Sequence, residues 1–124
     1  MACRMTELVL DCRDPDRLAR FWAEVLGYRV VDRAEDGTSV EIGPPDGTPS
    51  PVTLLFDRSD DPKNDKLRLH IDVNATDRTQ DEELERLLAL GATHIDIGQG
   101  DETWYVLADP EGHEFCLLRG TVEP

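Results

Sequence analysis

One plan is written twice along this chain, and the repetition constrains the fold more than any single motif. Asp14-Pro15 starts a helix, since aspartate can accept from the free amides of a first turn and proline at the first helical position gives up no needed hydrogen bond. Leu18, Phe21, Trp22 and Val25 then recur at i, i+3, i+4 and i+7 as one apolar stripe, and Gly27 stops the helix. In the second half Thr79 and Glu82 stand at capping-box spacing, Leu84, Leu87 and Leu88 make the stripe, and Gly91 follows Leu90 as Gly27 follows Leu26. A strand precedes each helix, Glu7 to Cys12 and Arg68 to Val73, and each reaches an aspartate, Asp14 or Asp77, seven residues after Glu7 or His70. After each helix comes an extended segment, Arg29 to Asp32 or Thr93 to Ile97. Two β-rich segments around a Pro-acid-Gly turn complete each half: Thr38 to Ile42 and Val52 to Phe56 around Pro45-Asp46-Gly47, Thr103 to Leu107 and Glu114 to Leu118 around Pro110-Glu111-Gly112.

Each half therefore reads β-α-β-β-β, and the fold class expected is α+β. A module of this kind has one sheet face covered by its own helix and another left open, so two copies are expected to pair their sheets into a cup-shaped half-barrel. The 124 residues suit one domain, with module one over 5–58, module two over 67–120 and a loop at 59–66. With 27 Asp+Glu against 13 Lys+Arg, the net charge of −14 repels phosphate backbones and anionic headgroups, which argues against nucleic-acid and membrane partners. No apolar run is long enough to span a bilayer and Met1 to Glu7 lacks the apolar segment of a leader, so a cytoplasmic location is expected. Cys3, Cys12 and Cys116 form no close C-x-x-C pair and are expected to be free thiols.

The strand ending in D-x-x-D-P, the run L-A-R-F-W-A-E-V-L-G-Y, the segment R-L-H-I-D-V and the turn A-D-P-E-G-H-E-F resemble the glyoxalase-like members of the vicinal oxygen chelate superfamily. The resemblance runs from about Thr6 to Leu118 and is most specific at Ala19 to Gly27 and Asp109 to Gly112. It implies the half-barrel fold and homodimers. It also implies a range of activities: metal-dependent lyases, isomerases, extradiol dioxygenases and thiol transferases, and bleomycin-resistance proteins that bind a drug without transforming it. Fold alone does not choose among these.

Strand alternation sets the facing of each side chain. Leu8, Leu10 and Cys12 are expected under the helix, with Glu7, Val9 and Asp11 on the open face. Leu69, Ile71 and Val73 are expected to pack, with His70 and Asp72 inward; Phe115 and Leu117 pack, with Glu114 and Cys116 inward. Catalytic relatives, by resemblance, carry one His or Glu ligand on the inward face of the first and last strand of each half. Glu7 and His70 match the first-strand positions. Seven residues after Asp109, where the family usually has glutamate, stands Cys116, with Glu114 one inward position earlier; the fourth position, in Val52 to Phe56, offers only Asp57 at its end. A metal set of Glu7, His70 and Cys116 or Glu114 follows, for one divalent ion (Zn, Ni, Mn or Fe). The metal-free reading, which outweighs the metal one, makes His70 a hydrogen-bonding pocket residue and Cys116 a small apolar filler.

Glu7, Asp11, Asp72 and Glu114 converge in this reading, and two like charges about 4 Å apart repel by about 4 kcal/mol at an effective dielectric near 20. A metal, a raised carboxylate pKa, pairing with Arg68, a cationic ligand or simple separation and solvation would relieve it. Trp22 is expected in the core, while Trp104 or Tyr105 lines the cup. His94 is read as a surface residue and His113 as turn polarity. Pro44 to Pro51 and Asp60 to Lys66 are expected to fold over the rim. Three functions fit. The first is a binding protein holding a polar or cationic small molecule in an acidic cup of Glu7, Asp11, His70, Asp72, Trp104, Glu114 and Cys116. The second is a metal-dependent lyase, isomerase or dioxygenase, and the third a non-catalytic dimeric structural or regulatory module.

Overall fold

In a computed structural model, which describes residues 2–46, 48, 52–96, 100 and 103–124, the chain divides into two compact units, Met1–Pro62 and Lys63–Pro124. The first holds β1 (Glu7–Cys12), α1 (Pro15–Leu26), β2 (Arg29–Arg33), β3 (Ser39–Gly43) and β4 (Thr53–Arg58). The second holds β5 (Ile71–Ala75), α2 (Gln80–Leu90), β6 (Thr93–His94), β7 (Tyr105–Ala108) and β8 (Glu114–Thr121). Both are β-α-β-β-β, with sheet orders β1-β4-β3-β2 and β5-β8-β7-β6. In each, the first strand runs parallel to the last and the other pairings are antiparallel. The α+β repeat read from the sequence is thus the fold.

The caps form as their residues dictate. Asp14 accepts from the Arg17 amide at 3.1 Å, Pro15 opens α1, and Gly27 closes it at φ 68, a left-handed conformation that a side chain would strain. Thr79 and Glu82 form the reciprocal capping box of α2: Glu82 Oε1 accepts from the Thr79 amide at 3.0 Å, and Thr79 Oγ1 from the Glu82 amide at 3.2 Å. The first core unites Leu18, Phe21 and Trp22 with Val40, Ile42, Leu54, Phe56 and Cys12; the second unites Leu87 with Leu107, Phe115 and Leu117. Trp22 is 1 % exposed and meets Phe21 edge to face, the core role expected of it.

The second unit departs from expectation at its entry. The strand read as Arg68 to Val73 begins only at Ile71, where pairing with Phe115 starts, so His70 stands just before β5. Leu69, expected to pack under the helix, is 65 % exposed. The cause is Glu114: its Oε2 accepts from the Leu67 amide at 3.0 Å, anchoring the incoming chain by a side chain instead of a ladder. Asp77 pairs with Arg78 at 2.9 Å, and Thr79 caps α2 as its spacing from Glu82 predicts. Counted back from Cys12 and Ala75, the buried last residues of β1 and β5, Glu7 and His70 still occupy equivalent positions. Of the extended segment Thr93 to Ile97, Thr93–His94 is strand and Ile97 lies outside the described residues. Gly47 and residues 49–51, the core of the expected Pro44 to Pro51 loop, lie outside them too.

Candidate functional site

Three donors of different chemistry meet in the second unit. The parallel pairing of β5 with β8 sets Asp72 beside Cys116, and His70 precedes β5 by one residue. Among the described residues, the ligand atoms of His70, Asp72 and Cys116 all lie within 4.8 Å of one another. His70 Nε2 approaches Asp72 Oδ1 at 3.3 Å. The imidazole and carboxylate are about half exposed, whereas Cys116 is buried at 8 %. Burial, and then the Asp72 charge and a hydrogen bond to its carboxylate, push the Cys116 thiol up from 9.0, with the Lys66 ammonium pulling weakly the other way. Without a cation beside it, Cys116 is therefore a thiol at neutral pH and a poor nucleophile.

Around this cluster lies a cavity of about 300 Å³, lined by Lys66, His70, Asp72, Trp104, Val106, Glu114, Cys116 and Leu118. Trp104 contributes an indole that is 36 % exposed, while the hydroxyl of its neighbour Tyr105 donates to Asp81 at 2.8 Å, on α2. Of the two adjacent aromatics, Trp104 is the one on the cavity wall.

Glu114 has a different neighbourhood. Its Oε1 lies 2.6 Å from Lys63 Nζ, while its Oε2 takes the Leu67 amide. Burial pushes this carboxyl up, but Lys63 and the Leu67 amide push it further down, and it ends below the usual 4.5. Its charge is thus matched by Lys63, where the sequence had offered Arg68. In sequence Lys63 and Lys66 read as parts of a rim loop, and nothing in their spacing points across the 51 residues from Lys63 to Glu114. Glu7 and Asp11 are exposed on β1 of the first unit, and neither lines this cavity.

His113, read as turn polarity, has a definite structural task. The Asp109 carboxylate, fully buried, accepts from the amides of Glu111 at 2.9 Å and His113 at 3.0 Å, and meets His113 Nδ1 at 2.9 Å. The Asp109 amide donates to the His113 carbonyl. This clamp fixes the turn from which Glu114 and Cys116 emerge, so the A-D-P-E-G-H motif positions the site without belonging to it.

A sequence profile of the glyoxalase-like domain matches residues 7–118. The chain belongs to that family. Among solved structures, the glyoxalase-like chain is similar to fosfomycin resistance protein FosX from Mesorhizobium loti, with 21 % identity, TM-score 0.68, and 98 % of this chain and 95 % of that one covered. It is also similar to a FosX variant from Listeria monocytogenes complexed with Mn(II) and 1S,2S-dihydroxypropylphosphonic acid (20 %, TM-score 0.68, 98 % and 96 % covered). A third is a glyoxalase/bleomycin resistance protein/dioxygenase family enzyme from Burkholderia phytofirmans (18 %, TM-score 0.67, 93 % and 97 % covered). No functionally curated protein matches the sequence. Identities at this level carry the fold, and the chemistry has to be read from this chain's own residues.

Proposed function

We propose that the two units make up one glyoxalase-like domain that binds a small oxygen-bearing molecule in the cavity of its second half, beside a divalent metal held by His70, Asp72 and Cys116. The observation that carries this reading is the convergence of imidazole, carboxylate and thiol within 4.8 Å on the wall of a cavity. Three protein ligands with a position left open describe metal sites that act on exogenous ligands. Such a metal supplies Lewis acidity, polarising ligand oxygens that reach the open position.

The remaining tasks fall to the chain itself. Trp104, Val106 and Leu118 offer an aromatic face and an aliphatic wall for the ligand's apolar part. Lys66 places a positive charge on the same wall. Lys63 neutralises Glu114, and Lys66 sets a positive charge against that of Asp72, so the wall carries no excess of negative charge. That balance supports an oxygen-bearing ligand over the cationic one that an acidic cup would favour. The Mn(II) and the diol phosphonate named for the Listeria FosX complex support a site of this kind in the fold. A lyase, isomerase or dioxygenase reaction is open to such a centre; binding comes first.

The test is equilibrium dialysis of purified protein against zinc, followed by thermal-shift screening of small oxygen-bearing compounds with and without metal. The expected result is near-stoichiometric zinc, lost in His70→Ala, and compounds that stabilise only the loaded protein. Stabilisation by cationic compounds without any metal uptake would replace this reading by a metal-free binding protein.

A further inference from the structure

Resting on that reading, we propose that the centre is built for thiophilic metals, so that zinc, cobalt and cadmium are held in preference to manganese or magnesium, with Cys116 as the residue that decides. The donors left free to bind set the preference. Hard cations need several oxygen ligands, whereas thiolate selects softer ions and imidazole serves borderline ones. The cavity wall carries two carboxylates, Asp72 and Glu114. Both oxygens of Glu114 are engaged, one by Lys63 Nζ at 2.6 Å and the other by the Leu67 amide at 3.0 Å. Releasing either would unpair a buried group or free the chain leading into β5. Among the described residues Asp72 is therefore the one hard donor at hand, beside one nitrogen and one sulfur.

Geometry points the same way. Tetrahedral zinc with bonds of about 2.0–2.3 Å sets its ligand atoms about 3.3–3.8 Å apart. His70 Nε2 and Asp72 Oδ1 already stand at 3.3 Å, and every pair in the trio lies within 4.8 Å. The small contraction left over falls to the two more exposed side chains, at 48 % and 45 %, which packing constrains less than the buried Cys116. Cys116 is held in β8, paired with both Asp72 and Val106, and is buried. The most constrained member of the set is thus the sulfur, and the adjustment to the ion falls to the other two. An octahedral ion that keeps oxygen ligands and several waters finds a buried thiol where it needs a carboxylate. The Mn(II) named for the FosX neighbour is on this account a poor guide to the ion in this chain.

Because almost any nitrogen-containing site prefers zinc to manganese, affinity order alone decides nothing. The experiment therefore compares the full-length wild-type protein with Cys116→Glu and Cys116→Ser. Cobalt(II) is added while the near-ultraviolet spectrum is followed for sulfur-to-cobalt charge transfer, and cadmium and manganese affinities are measured by competition. The wild type is expected to show the charge-transfer band, and Cys116→Ser to lose it. Cys116→Glu is expected to keep a metal while its cadmium-to-manganese preference falls by about tenfold or more. Should the glutamate variant fail to fold, the band in wild type, its loss in Cys116→Ser and a fall in the cadmium-to-manganese preference of Cys116→Ser carry the same decision. Metal uptake without a charge-transfer band, or with an unchanged preference in Cys116→Glu, overturns the thiophilic assignment and leaves the metal site standing. No uptake of any ion by the wild type overturns both.

Discussion

The two sheets, laid on one another by register, agree on one face and part company on the other. On the helix side, Leu8, Leu10, Leu54 and Phe56 of the first unit match Ile71, Val73, Phe115 and Leu117 of the second, apolar for apolar. On the opposite side, Val9 pairs with Leu55 where Asp72 pairs with Cys116, and Glu41 stands opposite Leu55 where Val106 stands opposite Cys116. Glu7 and Glu41 are thereby kept from forming a donor set with their strand neighbours; Glu41 instead accepts from Thr53 Oγ1 at 2.7 Å. Folding fixes the face that meets a helix, because there each side chain must fill a core. The other face meets no such demand, and one half has the aliphatic Val9 and Leu55 where the other has the carboxylate of Asp72 and the thiol of Cys116.

The comparison can be broken first at the cores, where the largest effects are expected. Phe56→Ala and Leu117→Ala, equivalent and fully buried, should each cost about 3–5 kcal/mol in urea denaturation. A large cost in one and almost none in the other would mean that the two units do not share a core plan. The open faces come next: Asp72→Ala should weaken zinc binding by about a hundredfold, while Val9→Ala at the matching position should change it less than about twofold. Titration of both variants decides whether the chemistry is as one-sided as the side chains suggest. Smaller and symmetric, Asp14→Ala and Thr79→Ala should each lower stability by about 1 kcal/mol, since each removes a helix cap.

The smallest effect expected is also the most local. Glu114 has its pKa lowered in the fold, so the stability it contributes is full above its usual 4.5 and is lost as pH falls through the folded value. Lys63→Ala should therefore cost about 1 kcal/mol or less at pH 7, the ammonium being 30 % exposed, and the difference from wild type should vanish once Glu114 is protonated. A pH series of melting temperatures reads this out. A gap that persists into acid would show that Lys63 acts through packing instead.

How far the fold was legible follows from the range of the forces involved. Caps, stripes and glycine stops are decided within four residues, so Asp14, Thr79, Gly27 and Gly91 declared both helices to the residue. Strand alternation likewise put His70, Asp72, Glu114 and Cys116 on one side. The start of β5 was misplaced because Glu114, far along the chain, takes the Leu67 amide, a competition no local pattern records. The same distance hid Lys63. Asp72 is hidden from the sequence for a related reason: family positions suggest Glu7, whereas the trio that converges within one unit includes Asp72, which only the β5–β8 register places beside Cys116. In Asp109 and His113 the motif was plain but its task was not, since a buried carboxylate clamping a turn looks in sequence like ordinary turn polarity.

The most direct measurement is diffraction from zinc-soaked crystals on both sides of the zinc absorption edge. The account predicts one strong anomalous peak in the second half, within bonding distance of His70 Nε2, the Asp72 carboxylate and Cys116 Sγ, and none on the matching face of β1 and β4. A peak coordinated by other residues, or no peak in protein that has been offered the metal in excess, would contradict it.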